Sequence, residues 1–317
     1  MQRPVPIPVR AVGPGSQPED DAALEVLPLP RWMDTFEMPH VPERVPASLM
    51  FESVAALQAL LDAMQPLSAA SDVVAPAAAQ ALAAPDAPDA PGAHPRVVLD
   101  TLSPAALALT NEVLGEGEVS IRLAAPAGGR AVHAQESVFA GVWRCGELDG
   151  DGRLTRYWLE AGALPDVVLE AAAQGTDDVA DPLPWPAGTM NAPALLAELR
   201  ARIATLRAGG RGGQINLSLL PLSPADRQVL GEALPVGPVA VISRGFGNCH
   251  IGSTTVPGVW RQQYFNSMNT LILELIEVAG VPEVAVASAE DLDDSRERLA
   301  DLLRWMRESA LEDQPAD

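Results

Sequence analysis

Apolar residues recur at helical spacing in three places along the chain. Leu49, Val54, Leu57, Leu61 and Met64 fall on one face and predict an amphipathic helix over 47–65. Leu195, Leu196, Leu199, Ile203 and Leu206 form a second stripe, opened by Asn191 and closed by Gly209, which are start and stop residues. Leu292, Leu299, Leu302, Leu303 and Met306 form a third, with Ser288 and Asp291 at capping-box spacing and acidic residues in the first turn. Elsewhere the period shortens to two. Leu271, Leu273 and Leu275 alternate with Ile272, Glu274 and Ile276, as expected of a largely buried strand with one contrasting face.

The pattern repeats itself. LSPA at Leu102–Ala105 returns 120 positions later at Leu222–Ala225, and GVWR at Gly141–Arg144 returns 117 positions later at Gly258–Arg261. A three-residue gap near Ala127, Gly128 and Gly129 reconciles the two offsets, in a turn that can absorb it. Gly117 and Gly237, Val119 and Val239, His133 and His250, Glu160 and Glu277, Gly162 and Ala279, and Pro165 and Pro282 fall into the same register. Each copy reads as a strand (97–99; 215–219), a helix, a strand (119–123; 239–243), two longer strands around GVWR, and a second helix after the shared proline. Ser103 and Ser223 are placed to cap the first helix, with Pro104 and Pro224 at its first position.

The fold expected is α+β: two tandem, internally duplicated units with largely antiparallel sheets, helices packed on them, and an extended proline-rich N-terminal arm. The arm occupies 1–46, with Trp32, Met33, Phe36 and Met38 as apolar anchors, and the first helix 47–65. An Ala/Pro linker follows over 66–96, because APDAPDAPGAHP and its surroundings bury too little apolar area to offset ordering entropy. The first repeat spans 97–175, a connector with its helix 176–213, and the second repeat with the C-terminal helix 214–312.

Composition narrows the function classes. Forty-two acidic residues against 21 basic ones give a formal charge of −21, which repels phosphate backbones and disfavours nucleic-acid binding. Neither a membrane span nor a signal-peptide core is visible, so the expected location is cytoplasmic. The two cysteines, Cys145 and Cys249, form neither a disulfide framework nor a C-x-x-C pair.

Candidate chemistry is sparse. Cys145, Cys249, His133 and His250 have the ligands and nucleophiles for a metal- or cluster-handling site or an enzyme. However, Cys145 aligns with Gln262 and Cys249 with Val132, so the duplication does not reproduce a His–Cys pair. SRGFGNC (243–249) lacks the Lys and the spacing of a phosphate loop and reads as a tight turn. No catalytic residue, metal ligand or cofactor is assigned. A cluster of amides and aromatics in the second copy is better suited to gripping a polypeptide: Asn248, Cys249, His250, Trp260, Gln262, Tyr264, Phe265 and Asn266, with Gln263 and Asn269 nearby.

The segment Asn216–Leu299 resembles the conserved C-terminal region of the HupH/HyaF hydrogenase expression/formation family, most visibly in SRGFGNCHI, QYFNSMNTLIL, EVAGVPEVA and EDLDDSRERL. LGEGEV (114–119) and LPLPRWMDTFEMP are similar to the family's earlier sections, while the Ala/Pro linker is peculiar to this chain. The resemblance implies a non-catalytic, chaperone-like protein acting on the iron–sulfur small subunit precursor of an uptake [NiFe] hydrogenase, beside a thioredoxin-like accessory protein. The precursor's twin-arginine leader would be attracted by an acidic surface.

Overall fold

A computed structural model describes residues 46–69, 94–124, 130–176, 178–245 and 248–312. The expected arm, most of the linker and the gap-bearing turn lie outside the described residues. The first repeat is preceded by α1 (Ala47–Ala69) and contains β1 (Arg96–Val98), α2 (Pro104–Leu114), β2 (Val119–Leu123), β3 (Ala131–Glu136), β4 (Val142–Leu148), β5 (Leu154–Ala161) and α3 (Asp166–Ala173). The second is preceded by α4 (Ala192–Arg207) and contains β6 (Gly213–Asn216), α5 (Pro224–Ala233), β7 (Val236–Ser243), β8 (Asn248–Thr254), β9 (Val259–Phe265) and β10 (Leu271–Val278). The last described element is α6 (Ala289–Glu312).

These strands form one antiparallel sheet in the order β1-β5-β4-β3-β2-β7-β8-β9-β10-β6. The order is palindromic: each repeat contributes five strands, and β2 meets β7 at the seam. Strand alternation sends one set of side chains from both repeats into a shared central core, with Ile121, Trp143, Val241, Cys249 and Trp260 under α3. On the opposite face each end has its own core. One packs α1, α2 and α6 against Leu99, Val142 and Leu159, and the other packs α4 and α5 against Ile215, Val259 and Ile276.

The repeated motifs have local reasons. Gly141 and Gly258 both adopt left-handed backbone, at φ of +75° and +78°, where a side chain would be strained. Two residues on, Trp143 and Trp260 are buried and donate Nε1–H to the carbonyls of Gly162 (2.9 Å) and Ala279 (3.2 Å). In LSPA, Ser103 Oγ accepts the Ala106 amide at 3.3 Å and Ser223 Oγ the Asp226 amide at 3.0 Å. Asp226 completes a capping box. Ala106 cannot, and Glu52 of α1 takes that place by accepting from the Ser103 amide and hydroxyl.

Three expectations are corrected. Only 213–216 of the region around the predicted 215–219 strand is extended, because the Asn216 side chain accepts the Ser218 amide and starts a 3-10 turn, Leu217–Leu219. After Pro282 the second repeat has only a 3-10 turn, Glu283–Ala285, where the first has α3. The Ser288–Asp291 box then starts α6, and that helix crosses over to pack on the first repeat's core. Finally, β10 is buried from Glu274 onward while Leu271 and Ile272 are exposed.

Candidate functional site: the hairpin between β9 and β10

The eight residues expected to form one recognition surface divide in two. Cys249, Trp260 and Gln262 are buried in the central core, with Tyr264 packed against it. Cys249, Trp260 and Gln262 cannot touch a partner in this fold. Tyr264 donates its hydroxyl proton to Gln262 Oε1 at 3.0 Å, and Gln262 Nε2 donates to Glu277. Burial pushes the Tyr264 hydroxyl and the Glu277 carboxyl upward, so both favour their neutral forms. Gln263, also buried, donates to Glu274 at 3.3 Å.

Asn248, His250, Phe265 and Asn266 remain at one end of the sheet. Phe265 pairs with Asn248 across the β8–β9 ladder, and its ring lies 4.7 Å from that of His250. Asn266 shapes the turn itself. Its Oδ1 accepts the Met268 and Thr270 amides, both at 2.9 Å, and Asn269 takes the left-handed conformation.

The same turn joins β4 to β5, where Asp149 Oδ1 accepts the Asp151 and Arg153 amides, both at 2.9 Å, and Gly152 is left-handed. The backbone plan is shared and the chemistry is not. Where the first repeat has Asp151 and Thr155, the second has Met268, 80% exposed, and Ile272, 61% exposed. Leu219, in the 3-10 turn lying against β10, is also exposed. Beyond Asn216, β10 has no ladder partner on this side among the described residues, and the Glu274 amide donates instead to Ser218 Oγ at 2.8 Å. No Asp or Glu occurs between Glu232 and Glu274, whereas the matching stretch of the first repeat carries Glu116, Glu118, Glu136, Glu147, Asp149 and Asp151. On a chain of charge −21, the tip of this hairpin is free of acids and exposes apolar side chains.

The alternative grouping does not assemble. Cys145 and Cys249 point into the central core, whereas His133 and His250 alternate to the opposite face. The two cysteines lie on β4 and β8, with three strands between them. Burial raises both thiols, Cys249 to about 11, leaving them protonated and poor as ligands or nucleophiles. Burial also lowers both imidazoles, helped at His133 by Arg122.

A cluster not anticipated from sequence lies at the β5 end of the sheet. His94, Glu160 and Asp166 offer ligand atoms within 4.8 Å of one another. The cluster already holds its own cations. Arg96 Nε is 2.9 Å from Glu160 and His94 Nδ1 2.8 Å from Asp166, while Trp158 Nε1 donates to Glu160 at 2.9 Å. Burial pulls His94 down, but hydrogen bonds to Asp166 and Glu160 outweigh it and raise the imidazole to about 9. His94 is therefore a cation at neutral pH, and the cluster is an ion-pair clamp. Its sequence signal was Glu160, aligned with Glu277; His94 sits in what read as linker.

Comparison with known proteins gives the same family throughout. The profile of the HupH hydrogenase expression protein C-terminal conserved region matches twice, over residues 78–183 and 189–306. The hydrogenase expression/formation protein HoxQ of Cupriavidus necator is 39% identical over 95% of this chain and 98% of its own. The hydrogenase-1 operon protein HyaF of Escherichia coli is 35% identical over 63% of this chain and 69% of its own. A solved structure, the hydrogenase expression protein HupH from Thiobacillus denitrificans, is 33% identical over 37% of this chain and 96% of its own, with a TM-score of 0.33. The chain belongs to the HupH hydrogenase expression protein family.

Proposed function

We propose that this protein is a non-catalytic accessory factor in [NiFe]-hydrogenase maturation. In this reading it holds the iron–sulfur small subunit precursor in the cytoplasm, beside a thioredoxin-like accessory protein. The relatives are named hydrogenase expression/formation proteins, which supports the maturation role. The observation that carries the binding role is the difference between two hairpins of one backbone design. The first is charged, and the second exposes Met268 and Ile272 next to a stretch of β10 that has no ladder partner beyond β9 among the described residues. An exposed apolar edge of this kind suits an extended segment of an incompletely assembled client, which adds main-chain hydrogen bonds to the edge and side chains to the apolar patch. Among the described residues no helix is long and apolar enough to cross a membrane. The buried, protonated thiols support a role without bond chemistry.

Capture of the small subunit precursor by the full chain tests this reading. Met268→Asp with Ile272→Asp should weaken capture at least tenfold while the melting curve is unchanged, and Asp151→Asn, at the matching tip of the first hairpin, should leave it intact. Unchanged capture by the double variant would refute the hairpin as the contact. A wild-type chain that fails to capture the precursor would refute the client.

A further inference from the structure

The two repeats hold equivalent arginines differently. In the second, Arg261 has an internal anion. Its guanidinium reaches the buried carboxylate of Glu274 at 3.0 Å, and Arg227 reaches the other oxygen at 3.1 Å. Gln263 fills the adjoining space and donates to the same carboxylate. In the first repeat the counterpart is Arg144, whose side chain is only 11% exposed. Tyr157 stands in place of Glu274 and Gly146 in place of Gln263, so both the neutralising carboxylate and the filler are gone. Arg144 Nε is buried with no hydrogen-bond partner among the described residues. The remaining contacts are long: 3.4 Å to the Asn111 carbonyl and 3.5 Å to Glu116, which is half exposed at the rim. Tyr157 gives its hydroxyl proton to Asn111 Oδ1 at 2.7 Å.

Removal of those side chains leaves an open cleft of about 230 Å³ walled by Arg144, Arg122, Tyr157, Leu148, Leu154 and Glu116. Gly146 leaves room for the Leu154 wall, whose side chain would lie 2.7 Å from a Cβ at that position. An arginine held only by long contacts favours an anion of matching shape in water-excluding surroundings, and because Nε itself is out of solvent reach, an acid in the cleft meets Nη2, the atom on which Glu274 sits in the second repeat. The second repeat supplies the template, since the group seated on its arginine is a carboxylate.

We infer that the first-repeat cleft is a binding site for a carboxylate, seated on Arg144 where Glu274 is seated on Arg261. Its volume of about 230 Å³ suits a residue-sized acid. The carboxylate comes from a small-molecule acid or from a polypeptide C-terminus, and Glu116 at the rim competes with it.

The test follows the Arg144 Nε–H signal of the full chain by NMR during titration with sodium acetate, N-acetyl-glycyl-glycine and the C-terminal amide of that peptide. A saturable shift with either acid and none with the amide is expected. Preference for acetate would make the source a small molecule, and preference for the peptide acid a chain terminus. Tyr157→Glu, which restores the internal carboxylate, should reduce affinity at least tenfold, whereas Glu116→Gln, at the exposed rim, should raise it and is insulated from any folding defect. Absence of a shift with both acids, an equal shift with the amide, or an equal or stronger response to sodium phosphate would overturn the assignment, as would lower affinity in Glu116→Gln.

Discussion

Ile121 and Val241 are equivalent positions of the two repeats, and they are direct partners in the ladder between β2 and β7. That pairing places a pseudo-two-fold axis at the centre of the seam, so Val119 faces Ser243 and Leu123 faces Val239. All ten strands come in pairs about it. Features the repeats share report on folding, and features that differ are where the chain has specialised.

Asp226 is the clearest structural carboxylate. Burial works against its charge, but the amides of Ala192, Ser223 and Met190 hold it down at about 2. Asp226→Ala should cost about 3 kcal/mol or more in urea unfolding, because the start of α4 and the cap of α5 lose their acceptor together. With a folded value below the unfolded 3.8, its contribution is complete above pH 3.8 and is lost as pH falls toward 2.

His94 acts in the opposite direction. Its folded value of about 9 lies above the unfolded 6.5, so its stabilisation is complete below pH 6.5 and disappears as pH rises to about 9. Glu136, raised by burial to about 7, has its own loss between pH 4.5 and 7. The interval from 7 to 9 therefore isolates the histidine. Melting temperatures of wild type and His94→Gln should converge across it, by a free-energy difference on the order of 2–3 kcal/mol.

Trp260 and Met268 separate packing from recognition. Trp260→Ala should destabilise the protein by about 3–5 kcal/mol, because it empties a site in the central core. Met268→Ala should change stability by less than about 0.5 kcal/mol. Denaturant melts of the two variants check the contrast, and equal losses would contradict the placement of either side chain.

Much of the architecture was legible because its determinants are local. Ser-Pro starts, the Gly209 stop and the Ser288–Asp291 box act within one turn of helix, whereas Asn191 marks the α4 boundary without a side-chain cap, the amides there being taken by Asp226. The GVWR repeat was visible too, but its meaning was divided. Trp260 read as contact material although Trp143 occupies the same place in the other repeat, and that identity was itself the sign of a core residue. The His94 clamp was hidden by composition, since an Ala/Pro-rich approach gives no hint that a histidine docks on carboxylates 66 and 72 positions away. Likewise, the fusion of the repeats into one sheet depends on β2 finding β7 across more than 100 residues, a pairing that neither strand's own pattern specifies.

Gly141 and Gly258 share a left-handed backbone conformation. A Cβ on Gly141 would meet the Leu292 side chain of α6 at 2.1 Å, on top of the strain of the positive φ that it shares with Gly258. Gly141→Ala and Gly258→Ala should each cost at least about 1 kcal/mol in chemical denaturation, and a neutral result at either would contradict its backbone conformation.

The seam also constrains how this molecule can be divided. A polypeptide holding one repeat would end in a bare β2 or β7 edge with half of the central core facing water. The shortest remedy is for two such polypeptides to dock head to head through that edge. The intact chain is thus a dimer written in one molecule, and linking the halves has freed each to acquire its own surface: one with an arginine awaiting an acid, the other with an uncharged fingertip.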